Sequence, residues 1–375
     1  MFKRNPKRKL LSLSSLSFVA VATLLLLFLE ANIVVYSAAT TLFNITRYEK
    51  FVLIILLAVL SGGFIVMLSI EKYYTNKIIR FFYRSTSAWI GIFVYLFISS
   101  IIYIILSFFF NLPIFFGIFL FLLAILVSIY GIIHGRKIVI KKIKVSIPLL
   151  PAGWKGKTIV WMSDIHLNSM RGAKFADKIT QASNSLSPDL VFIGGDLFDG
   201  AHKPDPYFIA RPMKNLFSRL GVFYITGNHE EFSDPMPFLI AVESLGFTVL
   251  RDEKIEIDGL QIIGVDYLNN VNKKQFQKTL EDMKIDKSKP AILLKHEPKD
   301  LAVAEKAGIS FQISGHTHRG QQWPFNYLIY LVYKGFSYGL KHYHSMLVYV
   351  SSGAGGWGPK LRIGSDDEIV LITLA

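Results

Sequence analysis

The first 144 residues carry four apolar runs, at about 10–29 (extendable to 43), 51–70, 88–110 and 113–134. Each approaches the roughly 20 residues that a helix needs to cross the hydrocarbon core of a bilayer. Backbone in lipid must satisfy its own hydrogen bonds, so runs of this kind have almost no option but helix. Asn111, Leu112 and Pro113 part the last two runs and read as a tight re-entry turn. A cleaved signal peptide is the alternative for the first run, but no small-residue cleavage site follows it and three more runs do. A mean hydropathy of +0.41 over the chain fits a membrane portion.

Charge is placed unevenly. The formal net charge is +14, yet residues 1–144 hold 16 Lys and Arg against three acids, while 145–375 hold 25 against 24. The second part therefore lacks the basic excess that phosphate-backbone binding uses, and no strong nucleic-acid signal remains. Lys3, Arg4, Lys7, Arg8 and Lys9 precede the first run, Lys72, Lys77, Arg80 and Arg84 separate the second from the third, and Arg136, Lys137, Lys141, Lys142 and Lys144 follow the fourth. Only Arg47 and Lys50 fall on the other side. Cytoplasmic loops are the Lys- and Arg-rich ones, so the expectation is a multi-pass protein of the cell membrane with both termini and everything after 144 in the cytoplasm. No ionisable residue lies well inside a run, with Glu30 at a helix end, so 1–144 reads as a four-helix anchor rather than a transporter. Its basic rims suit anionic headgroups of the lipid bilayer.

Residues 145–156 read as a short extended linker, and 157–375 as a different kind of chain. Strand candidates at 157–163, 190–194, 221–226, 247–250, 254–258, 260–265, 291–295, 309–314, 346–351 and 368–374 alternate with helical candidates at 172–186, 207–220, 236–245, 273–284 and 299–307. That alternation implies an α/β core with inserted hairpins. With no cysteine, disulfides and thiolate sites are excluded, and any metal must be held by nitrogen and oxygen.

Polar residues cluster where the strand candidates end. Asp164 and His166 follow the first, Asp196 and Asp199 the second, and Asn228, His229 and Glu230 the third; His296 follows 291–295, and His316 and His318 follow 309–314. A lone Asp after a strand is usually a helix cap, and a lone D-x-H or H-x-H arises by chance. Five such groups at five strand ends, where open α/β sheets build their sites, point to a metal centre.

In order, D-x-H, G-D-x-x-D, G-N-H-E, H and G-H-x-H resemble the calcineurin-like metallophosphoesterase superfamily. The stretches "LLKHEP", "SGHTHRGQ" and "SSGAGGWGPKLRIGSDDEIVLITL" are similar to its membrane-associated bacterial branch with YkuE-like and YaeI-like members. The resemblance implies a four-layer α/β/β/α sandwich of two mixed sheets after the transmembrane helices, holding two divalent metal ions, Mn²⁺ ahead of Fe or Zn²⁺. It implies one metal on Asp164, His166, Asp196 and His318, a second on Asp196, Asn228, His296 and His316, and Asp196 between them. A bridging hydroxide would then attack a phosphodiester in line. His229 would serve the leaving group as proton donor or cationic stabiliser, with Asp199 orienting it.

Arg319 stands where related sequences have Gly, and either grips a second phosphate or carboxylate or turns to solvent. The aromatic segment 321–344 is either a buried helix or a flap at the membrane surface facing the substrate. His342 and His344 repeat H-x-H outside the motif set, and His202 and Asp266 are pocket-rim candidates. Location favours a lipid-linked or cell-envelope precursor phosphodiester as substrate. The rivals are a general phosphatase or nuclease on soluble phosphoesters, and a non-catalytic membrane metal sensor.

Overall fold

A computed structural model describes residues 15–71, 74, 76–200, 205–232 and 234–375; the basic N-terminal tail, Lys72 and His202 lie outside them. Four helices are long and apolar enough to cross a membrane: α1 (Ser15–Phe43), α2 (Arg47–Glu71), α3 (Lys77–Phe109) and α4 (Ile114–His134). Helix α3 begins well before the apolar run at 88, because Lys77 and Arg80 continue the helix without being apolar. The chain forms two compact units, one reaching to Gly63 and taking in Ile90–Ser128, the other Phe64–Trp89 with Ile129–Ala375.

Within the first unit, small and polar residues join the helices. Ser61 Oγ donates to Asn32 Oδ1 at 2.9 Å, Ser99 Oγ donates to the Leu120 carbonyl at 3.1 Å, and Gly117 lies against Leu42. Close approach over small residues and interhelical hydrogen bonds are how helices associate where no hydrophobic effect separates them from solvent.

In the second unit, two six-stranded mixed sheets face each other. The strands are β1 (Ile138–Val145), β2 (Thr158–Met162), β3 (Leu190–Gly194), β4 (Val222–Ile225), β5 (Thr248–Val249), β6 (Glu253–Ile257), β7 (Leu260–Gly264), β8 (Ala291–Leu294), β9 (Phe311–Ser314), β10 (Gly339–Tyr343), β11 (Met346–Val350) and β12 (Asp367–Leu374). The first sheet runs β1-β12-β2-β3-β4-β5 and the second β10-β11-β9-β8-β7-β6. Within them β2 to β5 are mutually parallel, as are β7, β8, β9 and β11, while β12 runs antiparallel to β2.

Strand alternation builds the layers. Ile159 and Trp161 of β2 point to a core between the sheets with Phe192, Ile262, Leu294 and Ile313. Their neighbours Val160 and Met162 point the other way, onto Ala176, Ile179, Phe238 and Val242 of the helices Ala173–Asn184 and Met236–Ser244. Beyond the second sheet, Ile263, Leu293 and Val348 meet Phe276, Leu280 and Ala304 of the helices Lys273–Asp282 and Leu301–Ala307. Three cores thus separate four layers, α/β/β/α.

Two strands differ from the expected pattern. Lys141, Lys142 and Lys144 look like the basic rim of the anchor because they flank an apolar run, but they lie in β1, a sheet-edge strand parallel to β12, and edge strands carry lysine readily. The stretch 145–156 packs as well: Val145, Ile147 and Trp154 enter the inter-sheet core, and the Trp154 indole donates to the carbonyls of Ile257 and Asp258. β10 lies in segment 321–344 and pairs antiparallel with β11. The single helix expected at 207–220 is a short helix Pro206–Ala210 followed by a 3₁₀ turn Arg211–Asn215, with Pro212 at the break.

Candidate metal centre

Parallel strands present their carboxyl ends on one side, and the expected site residues follow five of them. Asp164 and His166 leave β2, Asp196 and Asp199 leave β3, Asn228 and His229 leave β4, His296 leaves β8, and His316 and His318 leave β9. The turns are tight enough that Asp164, His166, Asp196, His316 and His318 all take positive φ, between 47° and 69°. Left-handed backbone at non-glycine residues costs about 1–3 kcal/mol each and gathers at functional sites. The chain passes close at Gly227 and Gly315, since a Cβ on either would collide with the carboxylate of Asp196 or Asp164.

These side chains converge in two groups with ligand atoms within 4.8 Å of one another: Asp164, His166 and His318, and Asp196, His296 and His316. Asn228 Oδ1 joins the second, 2.8 Å from His316 Nδ1 and 3.1 Å from His296 Nε2. Asp196 Oδ2 lies 3.2 Å from His296 Nε2 and 3.8 Å from His166 Nε2, between the groups. His229 and Asp199 form a third cluster with His166, in which Asp199 Oδ1 is 3.2 Å from His229 Nδ1 and 3.1 Å from His166 Nδ1. Asp199 therefore holds two rings rather than the one expected.

Outer contacts set the tautomers. His166 Nδ1 is taken by Asp199 and His296 Nδ1 by the Gly194 carbonyl at 2.8 Å, which leaves both Nε2 atoms facing the centre. His318 Nε2 faces His166 Nε2 at 3.2 Å with Asp164 Oδ1 3.7 Å away, and His318 Nδ1 is buried with no hydrogen-bond partner among the described residues. Facing ring nitrogens beside a carboxylate suit a cation between them.

Electrostatics agree. Burial opposes ionisation of Asp196, but His296, His229 and His166 hold its carboxyl far below the usual carboxylate range. Burial likewise works against His296, yet the Asp196 charge raises it to about 10, a measure of the negative field that a bound cation would neutralise. Burial, then the neighbouring His296, brings His316 down to about 4, and burial beside His166 and Arg362 takes His318 well below its ordinary value. Imidazole nitrogens with carboxylate oxygens and an amide oxygen form a donor set that suits Mn²⁺, Fe or Zn²⁺, so the residues fit divalent ions. For His229, burial opposes protonation, but Asp199 and Asp196 raise it to about 9.

The remaining expected residues differ in their surroundings. Arg319 stacks its guanidinium 4.3 Å over the Tyr338 ring, with Tyr338 anchored on Glu368, so it is not loose in solvent. Asp266 is buried in an ion pair with Arg251 and, as expected of a pocket residue, lines a small cavity with His296 and Glu297. His344 pairs with Glu305 at the surface, and among the described residues neither it nor His342 belongs to a metal-capable cluster.

Three supporting residues were given no role from sequence. Glu230 is buried, and its carboxylate accepts the backbone N–H groups of Asp196, Phe198 and Gly227, tying two ligand loops together. Glu297, beside His296, lies 3.6 Å from His316 Nε2 and accepts from Tyr333. Arg362 pairs with Asp367 at 2.7 Å and donates to the His318 carbonyl at 3.0 Å. "GNHEE" held a cue for Glu230, an acid one helical turn into a helix; Arg362, 44 residues from His318, had no local signal. Glu230→Gln places an amide N–H against a backbone N–H. It is expected to cost about 1–3 kcal/mol of stability and to weaken metal binding about 10–100-fold, measured by thermal unfolding and metal titration of the detergent-solubilised protein.

The calcineurin-like phosphoesterase family model matches residues 157–320. Over 221 residues the chain is 36% identical to an uncharacterized metallophosphoesterase of Helicobacter pylori, covering 58% of this chain and 59% of that protein. A transmembrane protein with metallophosphoesterase domain from Bos taurus is 31% identical over 267 residues, 66% of this chain and 60% of its own length. An uncharacterized metallophosphoesterase of Aquifex aeolicus is 30% identical over 257 residues, 67% of this chain and 97% of its own length. The chain thus spans about three fifths of the first two relatives and nearly all of the third.

Proposed function

We propose that this chain, which belongs to the calcineurin-like metallophosphoesterase family, is a membrane-anchored phosphodiesterase working with two divalent metal ions, Mn²⁺ foremost. One observation carries the reading: seven nitrogen and oxygen donors leave five strand ends and meet in two adjacent groups, with the Asp196 carboxylate between them. Asp164, His166, Asp196 and His318 would hold one ion, and Asp196, Asn228, His296 and His316 the other. Bound there, such ions supply Lewis-acid activation of water and neutralise charge on phosphoryl oxygens.

The chain's own residues supply the rest. Glu230 and the close passes at Gly227 and Gly315 hold the ligand loops in register. His229, kept cationic by Asp199, stands beside the cluster to give a proton to the departing oxygen. The four membrane-length helices and the Lys- and Arg-rich side of residues 1–144 favour a multi-pass anchor with a cytoplasmic site. A phosphodiester on a lipid-linked or envelope-precursor substrate fits that location.

The test uses the full chain, since a fragment beginning after 145 would lose β1 from its sheet. Protein in detergent is stripped of metal, resupplied with Mn²⁺, and offered a chromogenic phosphodiester beside the matching monoester, with Asn228→Ala as blank. Metal-dependent diester cleavage that the variant lacks is the expected result; no turnover of either ester with metal bound would sink the reading. In the same assay Arg319→Gly is expected to raise KM roughly tenfold with kcat kept, the worth of one charge-assisted hydrogen bond. An unchanged KM would reduce Arg319 to its stacking on Tyr338.

A further inference from the structure

The short helix Phe325–Val332 begins just after the His316–His318 turn and buries none of its eight residues. Phe325, Tyr327, Leu328, Tyr330, Leu331 and Val332 are all exposed, Leu331 to 72%. Helices of water-soluble surfaces carry one apolar stripe and an opposite polar face, and contiguous exposed apolar surface marks a binding site. Asn326 is the only polar residue that is neither aromatic nor apolar in this helix.

Charge and position say what covers it. From 321 to 345 there is no Asp or Glu, while Lys334 and Lys341 follow the helix and Arg319 precedes it. On the N-terminal side, the Trp323 N–H donates to the Ile363 carbonyl at 2.8 Å. Ile363 and Leu361 lie against Gly131 of α4, whose carbonyl accepts from the Arg362 N–H at 3.0 Å. The exposed helix thus starts two contacts away from the last turn of a membrane-length helix. On its C-terminal side, Tyr333 donates to Glu297 at 2.8 Å, and Glu297 reaches His316.

We propose that Phe325–Val332 is an interfacial helix that lies in the headgroup layer of the lipid bilayer. Its aromatic and aliphatic side chains enter the acyl boundary, the exposed Lys334 meets anionic headgroups, and Tyr333 fixes the seated helix to the metal centre. Apolar burial together with basic flanks is the balance by which such helices bind membranes. Seating the helix brings the site to the level of lipid phosphates, which deepens the lipid-linked substrate reading and, for that part alone, rests on it.

The chain has no cysteine, so a single introduced one is labelled cleanly. Full-length Leu328→Cys carrying an environment-sensitive fluorophore is placed in nanodiscs containing phosphatidylglycerol, with Lys278→Cys, on the exposed face of the helix Lys273–Asp282, as control. Brominated acyl chains are expected to quench the label at 328 severalfold and leave the control unchanged. A label at 328 as insensitive as the control overturns the proposal. So does one shielded from aqueous iodide but not quenched by bromolipid, which would mean a protein covers the helix. This readout needs no turnover, so it stands apart from success or failure of the phosphoesterase reading. A second arm replaces Tyr327, Leu328 and Leu331 with Ser in one protein. KM for a vesicle-embedded diester is expected to rise about tenfold with a water-soluble diester unaffected; equal effects on both count against docking.

Discussion

Replacing Asp196 with Asn is expected to lower phosphodiester hydrolysis about a thousandfold, roughly 4 kcal/mol of transition-state stabilisation. Asp196 lies between the two groups, 3.2 Å from His296 and 3.8 Å from His166. Its other oxygen accepts the His229 backbone N–H at 2.9 Å. Asn keeps the size but loses the charge, and it turns an amide N–H either toward a ligand nitrogen or toward that backbone N–H. The variant is therefore expected to retain its fold and to bind fewer than two metal equivalents, measured by elemental analysis of dialysed protein beside the rate. Full activity with two bound metals would remove Asp196 from the bridging role.

The second large effect is expected at His229. His229→Asn is predicted to reduce kcat about 10²- to 10⁴-fold, the range of general acid catalysis, while leaving metal stoichiometry unchanged. The ring is held by Asp199 through Nδ1, which leaves Nε2 as the nitrogen for the proposed proton transfer. If it donates a proton there, the loss must be greatest for alcohols that leave poorly and smallest for an activated nitrophenolate. The measurement is kcat for wild type and variant across diesters of graded leaving-group acidity. A uniform loss across that series would assign His229 to substrate binding rather than proton transfer.

Both effects depend on residues that local pattern reading could single out. Each expected ligand follows a strand by two to four residues, and strand endings are recorded locally by apolar runs that give way to Gly or to polar and charged residues. The apolar runs of the first 144 residues were legible for the same reason, since crossing lipid is a condition on each helix separately. Helix α3 and strand β1 were less so. In both, basic residues that look like a membrane rim belong to regular structure, and only pairing with β12 marks 138–145 as strand.

Membrane-length helices, an α/β alternation and nitrogen-and-oxygen donors at five strand ends can be read along the chain. Tertiary packing shows which donors share a group, that Asp199 serves His166 as well as His229, and that Glu230 ties two ligand loops. It alone decided that segment 321–344 divides into an exposed helix and a strand, and that Arg362 links the α4 end to the His318 loop. The physical reason is range. Strand period, apolar length and turn chemistry are set by neighbours in sequence, whereas a carboxylate's partners are set by sheet register and the packing of distant loops, for which the chain carries no local mark.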